Sequence, residues 1–373
     1  MKVVIIGAGI AGLSVGLRLL DAGCDVVVLE RARPGRGATW ASGGMIAATA
    51  ENADDATPEA RFAHRAAALW PDFAAQIEKR SGQPIAYRRD GTLIVALSKG
   101  AYANLAARKT LDTVVLSAQE TLRLEPSIAP GLFGALWAEG DAQVDNRAVG
   151  WALALAFVNA GGTLQMNEAV VALEFAKGAV RGARTPFSLY EGDAFVIAAG
   201  AWSGDIQGVP PEALPPVIPV KGEMLALNPA ARSELPTRLI WGEGVYLIPR
   251  HDCLFVGATT SREGFDTSTN DGAENWLLSR ARALVPTLAG WEVAEHWAGL
   301  RPGSPDDLPL IGETAVARLY VASGQYRNGI LFAPAIADAL HSLILERRQP
   351  PEITAFDPKR FIGQALAVEG AVR

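Results

Sequence analysis

The chain has 373 residues, of which 49% are hydrophobic and 20% charged, and its formal net charge is −6 at pH 7. This length and composition predict one large domain or two closely packed domains with a substantial core. The negative net charge argues against nucleic acids and acidic membrane surfaces as partners. The two cysteines, Cys24 and Cys253, lie in no CxxC or Cys/His spacing, so the sequence indicates neither a metal site nor a disulfide framework.

The first residues could be mistaken for an export signal, because a long apolar run follows Lys2. Glycines interrupt that run, however, and Arg18 and Asp21 follow it without a small-residue cleavage pattern. No other stretch approaches the roughly 18 uncharged apolar residues that a membrane span needs. We therefore expect a protein without a membrane span, and the cysteine usage suits a reducing cytoplasm.

The chain begins with a strand–helix–strand unit. Residues 2–6 predict a buried parallel strand, residues 10–21 predict a helix, and residues 25–29 predict a second strand. The turn after the first strand reads GAGIAG, and an acidic residue ends the second strand. A unit of about 30 residues with this pattern predicts a dinucleotide site.

Each glycine of that turn has a mechanical reason. Gly7 permits the tight turn, Gly9 lets the backbone approach a pyrophosphate, and Gly12 lets the helix press on the strand. The helix N-terminus offers N–H groups and a positive dipole end to phosphates. The terminal acid accepts hydrogen bonds from ribose hydroxyls and disfavours NADP. The predicted contacts are Gly7, Gly9, Ile10, Ala11, Gly12, Glu30 and Arg31.

Residues 34–48, PGRGATWASGGMIAA, are rich in small residues and too irregular for a strand. They predict either a flexible surface loop or a second cradle, in which amides and hydroxyls meet the pyrophosphate and backbone lies against a flavin ring. The candidate contacts for the pyrophosphate are Ala38, Thr39 and Ser42. The candidates for the flavin ring are Gly43, Gly44 and Met45, and Met45 packs on the ring itself.

GAGIAG, LER and GATWASGGMIAA together resemble the opening of the D-amino acid oxidase superfamily of flavoenzymes. Within it the likeness is greatest to the bacterial glycine oxidases, which are associated with thiamin biosynthesis. The resemblance covers most of the chain, although the middle matches by element order rather than by motif. It implies FAD as the cofactor and a homotetramer. Neither cysteine adjoins the flavin-side motifs, so noncovalent FAD is expected.

The remaining elements predict an α/β fold of two interleaved domains. Residues 58–80, 147–160 and 271–284 predict helices, and strand-like runs cover 85–97, 163–166, 169–175 and 195–199. From Pro215 onward, strand runs separated by turns predict a mixed or antiparallel sheet. We predict a Rossmann-like FAD-binding domain, residues 1–85, 143–215 and 302–373, interleaved with an α+β substrate-binding domain, residues 86–142 and 216–301.

Three late stretches carry candidate chemistry. Tyr246 lies in GVYLIPR, Arg301 precedes a proline-rich loop, and Arg327 lies between a strand and a helix. An arginine in a cleft binds a carboxylate through two parallel hydrogen bonds, but Arg301 also suits an ion pair with Asp306 or Asp307. Tyr246 suits the core as well, and Arg327 suits a salt bridge between domains.

The resemblance implies more specific roles. Residues that match Tyr246, Arg301 and Arg327 line the substrate pocket in glycine oxidases, and Met45 is expected beside them. The segment from Gln325 to Leu331 would wrap the flavin, although the family commonly has histidine in place of Gln325. The further implied cofactor contacts are Val170, Ala199, Gly200, Gln325, Tyr326, Arg327, Asn328, Gly329, Ile330 and Leu331. On sequence alone, Val170 equally suits a strand core.

No histidine, cysteine or lysine occurs in these three stretches, which favours hydride transfer over a mechanism that needs a general base. The helix after Asn328 would direct its positive end at the flavin and stabilise the charge that reduction adds. The expected reaction is oxidative deamination of a small carboxylate-bearing amine, with O2 accepting the electrons. Three alternatives stay open: a dehydrogenase that uses a quinone or another carrier, a 2-hydroxy acid as substrate, and a non-enzymatic FAD-binding protein.

Overall fold

A computed structural model describes residues 1–51, 56–231 and 233–363. Residues 52–55, 232 and 364–373, which fall within the predicted domains, lie outside the described residues. The strands in chain order are β1 (Lys2–Ile6), β2 (Asp25–Glu30), β3 (Met45–Ile46), β4 (Thr92–Ala96), β5 (Val114–Ser117), β6 (Gly134–Ala138), β7 (Ala142–Gln143), β8 (Thr163–Met166), β9 (Ala172–Ala176), β10 (Ala179–Arg184), β11 (Leu189–Glu191), β12 (Ala194–Ile197), β13 (Ile218–Asn228), β14 (Leu239–Gly242), β15 (Val245–Pro249), β16 (Leu254–Gly257), β17 (Glu292–Gly303), β18 (Leu310–Glu313) and β19 (Leu319–Ser323).

The helices of the same ranges are α1 (Ile10–Asp21), α2 (Ala38–Ala41), α3 (Ala48–Glu51), α4 (Pro58–Ser81), α5 (Lys99–Ala107), α6 (Ala118–Leu124), α7 (Asn146–Asn159), α8 (Asp271–Leu284) and α9 (Gly329–Leu345). Short 3₁₀ turns lie at Gly200–Trp202, Pro286–Gly290, Pro351–Phe356 and Pro358–Phe361. Within the described ranges, none of the helices is both long and apolar enough to cross a membrane.

The first sheet has six strands in the order β18–β19–β12–β1–β2–β8. Its strands run parallel except β18, which is antiparallel to β19. One face packs on a core that includes α1, α4, α7 and α9, and the other packs on a core shared with β9 and β10. A parallel sheet covered on both faces explains why β1 reads as an unbroken apolar run.

The second sheet has eight strands in the order β17–β13–β16–β15–β14–β4–β6–β5. Its pairs are antiparallel except β14 with β4. Helix α8 buries Leu277, Leu278 and Leu284 in one core of this sheet. Met224 and Ile248 belong to another cluster, which also includes side chains from residues 40–45. The predicted α/β class with a mixed second sheet is confirmed, and the predicted domain boundaries stay a prediction.

Local signals placed several elements at their observed bounds. Helix α8 begins after Asn270, whose side chain accepts a hydrogen bond from the Ala273 amide. Helix α4 has Thr57 as its N-cap and ends at Gly82 in the left-handed conformation. These three caps match known preferences. Short polar side chains satisfy the free amides at a helix start, and glycine tolerates the positive φ at a helix end.

Other predictions were wrong where pairing depends on distant partners. In residues 85–97 only β4 is a strand, and Arg88 forms an isolated bridge with Gln143. The strand predicted over 169–175 begins at β9, so Val170 precedes it. Residues 34–48 contain the helical turn α2 and the short strand β3, which pairs with β7.

Candidate dinucleotide and substrate site

A cavity of about 400 Å³ lies between the first turn of the chain, residues 29–45 and strands of the second sheet. Its volume is within the usual range for small-molecule and cofactor sites. Most predicted site residues line it, although they come from segments more than three hundred residues apart. These residues are Gly7, Gly9, Ile10, Ala11, Glu30, Arg31, Ala38, Thr39, Ser42, Gly43, Gly44, Met45, Val170, Ala199, Gly200, Tyr246, Arg301, Gln325, Tyr326, Arg327, Asn328, Gly329 and Ile330.

Two predicted contacts, Gly12 and Leu331, are not among the lining residues. A Cβ at Gly12 would overlap the Gly7 carbonyl, so Gly12 serves the close packing of α1. Leu331 is 2% exposed in the main core, and its carbonyl accepts a hydrogen bond from the Trp70 indole at 3.0 Å. Both residues support the cavity wall from behind.

The carboxylate of Glu30 holds the first turn together. It accepts hydrogen bonds from the Ala8 amide at 2.9 Å and the Ala32 amide at 3.0 Å. The turn itself has Gly7 at a φ of 106°, which side-chain-bearing residues rarely adopt. Glu30 therefore organises the backbone of this end of the cavity as well as lining it.

The hydroxyl of Thr39 joins the second segment to the first. Its Oγ1 accepts a buried 3.0 Å hydrogen bond from the Ile10 amide at the start of α1. The Ser42 hydroxyl donates to the Thr39 carbonyl at 2.9 Å. Both hydroxyls therefore make bonds that shape the cradle, and their contact with a pyrophosphate stays a prediction.

Two residues that sequence analysis missed fix the outer side of this cradle. The Asn146 side-chain amide donates to the carbonyls of Thr39 at 3.0 Å and Trp40 at 2.8 Å. The Trp297 indole donates to the Ala41 carbonyl at 3.0 Å. Neither residue has a local sequence signal, because its partner lies at least 106 positions away.

Arg301 reaches the cavity from β17 and is half-buried. Its Nη1 donates to the carbonyls of Lys221 at 3.3 Å and Thr259 at 3.2 Å. Asp306 instead pairs with Arg360, and Asp307 lies 4.0 Å from Arg262. Across the described ranges, no carboxylate lies within 4.0 Å of the Arg301 guanidinium.

The neighbours of Arg301 keep space open for it. A Cβ at Gly222 would overlap the Arg301 guanidinium, so this glycine leaves the room that the side chain occupies. Tyr246 lines the same cavity from β15, and its ring meets Trp241 edge-on at 6.4 Å. The Arg327 guanidinium lies 5.8 Å from the centre of the Trp241 ring. No salt bridge among the described residues includes Arg327, and its role in the site stays a prediction.

Gln325 is 5% exposed and lines the cavity. Its side-chain Nε2 is buried and has no hydrogen-bond partner within the part of the chain that the structure describes. Buried polar groups without partners are uncommon, and one in a cavity wall indicates a donor kept for a ligand.

The cavity also holds Glu51, a carboxylate that sequence analysis missed. Burial raises the pKa of Glu51, and the positive charges of Arg327 and Arg301 oppose that rise. Glu51 ends α3 within an alanine-rich run, where no motif marks it. It also lines a neighbouring cavity together with Arg108 and Arg327.

A cation–π pair lines the cavity next to Glu30. The Arg31 guanidinium lies 3.5 Å from the centre of the Trp202 ring, and both residues line the cavity. Trp202 in turn stacks on Phe265 at 5.5 Å. Arg31 was predicted as a contact, whereas Trp202 in GAWS was not singled out.

The site and its fold agree with known proteins. A family model described as FAD dependent oxidoreductase matches residues 2–343. The chain belongs to the FAD-dependent oxidoreductase family. The resemblance drawn from the sequence motifs is confirmed.

Individual members of the family support the same assignment. The chain is 32% identical over 374 residues to the bifunctional protein ThiO/ThiG of Trichormus variabilis, covering 97% of this chain and 55% of that protein. It thus spans about half the length of the first curated relatives that it matches. It is 32% identical to the glycine oxidase of Pseudomonas aeruginosa, covering 93% and 95% of the two chains. The crystal structure of glycine oxidase from Geobacillus kaustophilus matches with a TM-score of 0.90 at 30% identity, covering 97% and 100%.

The residues present fit the FAD of this family. The hydrogen bonds of the described residues include none donated by the amides of Ser42, Gly43 or Gly44, which line the cavity. A Cβ at Gly200 would meet no atom within 4 Å, so the wall there is open to a ligand. Neither cysteine lines the cavity, and noncovalent binding of FAD stays a prediction.

Replacing Thr39 tests the bond that joins the two segments. We expect Thr39→Val to lower the free energy of unfolding of the apoprotein by about 1–3 kcal/mol, because a buried amide loses its acceptor. Thr39→Ser keeps the hydroxyl and should lose less than about 1 kcal/mol by the same reasoning. Urea unfolding measures both variants, and equal losses in the two would contradict the role of the hydroxyl.

Proposed function

We propose that this chain catalyses the FAD-dependent oxidative deamination of a small carboxylate-bearing amine, such as glycine, sarcosine or a D-amino acid. The observation that carries the proposal is the guanidinium of Arg301 in the cavity. It has no carboxylate within 4.0 Å among the described residues. A half-buried cation without an anionic partner suits a substrate carboxylate. The glycine oxidase names among the relatives support this substrate class.

Two side chains orient the substrate in this proposal, and two more border it. Arg301 Nη1 is held by backbone carbonyls, which leaves Nη2 and Nε as donors for two carboxylate oxygens. Tyr246 adds a phenolic hydrogen bond to the same carboxylate. Arg327 and Met45 border the remaining space, and both line the cavity. Such fixation places the substrate Cα–H for transfer and lowers the entropic part of the barrier.

Bound FAD supplies the two-electron acceptor for the reaction. The Cα–H bond of the neutral amine would break with its electron pair transferred as hydride to the bound FAD, while the nitrogen lone pair forms the C=N bond of an iminium ion. The iminium ion loses a proton to give the imine, and water hydrolyses the imine to an oxo acid and ammonia, or to an oxo acid and methylamine when the substrate is sarcosine. The positive end of α9, which begins beside Asn328, favours the negative charge that reduction adds. We propose O2 as the final acceptor, giving H2O2.

A substrate screen in two stages tests the reaction. Glycine, sarcosine, D-amino acids and 2-hydroxy acids are first mixed with the holoprotein without oxygen, and loss of the visible flavin absorbance identifies substrates. Peroxide release on adding oxygen then separates an oxidase from a dehydrogenase. We expect an amine to bleach the flavin and to give peroxide. Bleaching by 2-hydroxy acids alone, or by none of these compounds, would contradict the proposal.

Removing the Arg301 guanidinium should weaken substrate binding more than it destabilises the fold. We expect Arg301→Ala to raise KM steeply and to lower kcat/KM by roughly 100-fold or more, because two charge-assisted hydrogen bonds are lost. Arg262→Ala is the matched control, since this exposed arginine lies near Asp307 and does not line the cavity. Steady-state kinetics with the best substrate provides the measurement. A wild-type KM in Arg301→Ala would show that the carboxylate binds elsewhere.

Glu51 is the group in the cavity that could act as a base instead. For hydride transfer we expect Glu51→Gln to keep the rate of flavin reduction within about tenfold of the wild type, because no proton needs to leave Cα. A role as general base would cost roughly 10²–10⁴-fold. Anaerobic stopped-flow reduction with ordinary and Cα-deuterated substrate measures this step. A loss of the larger size in Glu51→Gln would overturn the hydride mechanism.

A further inference from the structure

The turn at Gly43–Gly44 is held from behind by an arginine that does not line the cavity. Arg250, in the turn between β15 and β16, donates from Nη2 to the Gly43 carbonyl at 2.6 Å. The same nitrogen lies 3.2 Å from the Asn146 side-chain oxygen, and Nη1 donates to the Gln143 side-chain oxygen at 2.9 Å. One guanidinium thus links the second sheet, the start of α7 and the cradle.

This contact completes a pattern along the cradle. The carbonyls of Thr39, Trp40 and Ala41 are bound by Asn146 and Trp297, and the Gly44 carbonyl accepts from the Val144 amide at 2.9 Å. With Gly43 bound by Arg250, almost every carbonyl of this segment is engaged by donors that lie outside it. The amides of Ser42, Gly43 and Gly44 donate no hydrogen bond within the described residues, and these three residues line the cavity.

Burial destabilises the positive charge of Arg250, and few neighbouring groups compensate it. Its described partners are a carbonyl and two side-chain amide oxygens, and no carboxylate lies within 4.0 Å of it in the described chain. Burial lowers the pKa of Arg250 to about 10. A half-buried cation with no carboxylate in direct contact is costly unless a ligand or a required geometry compensates it. Arg250 also lies 5.0 Å from the centre of the Phe255 ring.

We propose that Arg250 is a positioning residue for FAD, which holds the Gly43–Gly44 turn with its amides inward and places a positive charge behind it. The proposal rests on FAD binding by this family and not on the identity of the substrate. Inward amides bind the cofactor, and the charge behind them stabilises the reduced form, because reduction adds negative charge to the flavin.

The test compares Arg250→Met with Arg88→Met in FAD binding. Arg88 is the matched control, because it donates to the Pro249 carbonyl in the same region without contacting the cradle. Titration of apoprotein with FAD, followed by flavin fluorescence, should give a Kd about 10- to 100-fold higher in Arg250→Met. Arg88→Met should keep the wild-type Kd. An unchanged Kd in Arg250→Met would overturn the proposal.

A second readout separates the positioning role from loss of stability. The flavin midpoint potential should fall in Arg250→Met, because the reduced form loses more affinity than the oxidised form, and it should be largely restored in Arg250→Lys. A single ammonium cannot hold Gly43 and Gln143 together, so the Kd of Arg250→Lys should stay at least about threefold above the wild type. If circular dichroism shows that Arg250→Met is unfolded, the Kd of Arg250→Lys tests the proposal instead. A wild-type Kd in that variant, or a potential as low as that expected for Arg250→Met, would overturn the proposal. Both readouts are independent of substrate turnover, so failure of the proposed reaction would not affect them.

Discussion

A 3.0 Å hydrogen bond from the Ile10 amide to the Thr39 hydroxyl joins the two segments that enclose the cavity. A dinucleotide site needs backbone N–H groups directed inward, so the carbonyls of the same segment must find donors on the other side. Asn146, Trp297 and Arg250 provide those donors from α7, β17 and the β15–β16 turn. The cofactor cradle therefore depends on both sheets, although its sequence is continuous.

This dependence explains which parts of the fold could be predicted. Helix α1 and strand β1 were placed at their observed bounds because glycines, apolar runs and periodicity are local. Helix α8 was also placed at its observed bounds, and the structure shows that Asn270 caps it locally. The donors that hold the cradle carry no local signal, since Arg250 is 207 positions from Gly43 and Trp297 is 256 positions from Ala41.

The candidate site shows the same division. The glycine motif indicated the packing role of Gly12, but the sequence did not indicate that Leu331 packs behind the cavity instead of lining it. The sequence left open an ion pair of Arg301 with Asp306 or Asp307. Only the three-dimensional arrangement shows that Asp306 pairs with Arg360 instead. Glu51 was missed because a lone acid in an alanine-rich run looks like a solvated helix end. Side chains from several segments set the net charge of a cavity. A local sequence pattern therefore does not predict that charge.

The cavity combines a region suited to a dinucleotide with a region suited to a carboxylate. Backbone amides and Glu30 suit the dinucleotide end, whereas Arg301 and Tyr246 suit a carboxylate at the other. One measurement tests most directly whether a bound FAD and Arg301 share this cavity: titration of the purified holoprotein with acetate, a carboxylate that cannot be oxidised here. We predict one FAD per chain and a saturable change in the flavin spectrum that Arg301→Ala abolishes. A colourless protein that takes up no FAD, or a spectral change that is unaltered in Arg301→Ala, would contradict this arrangement.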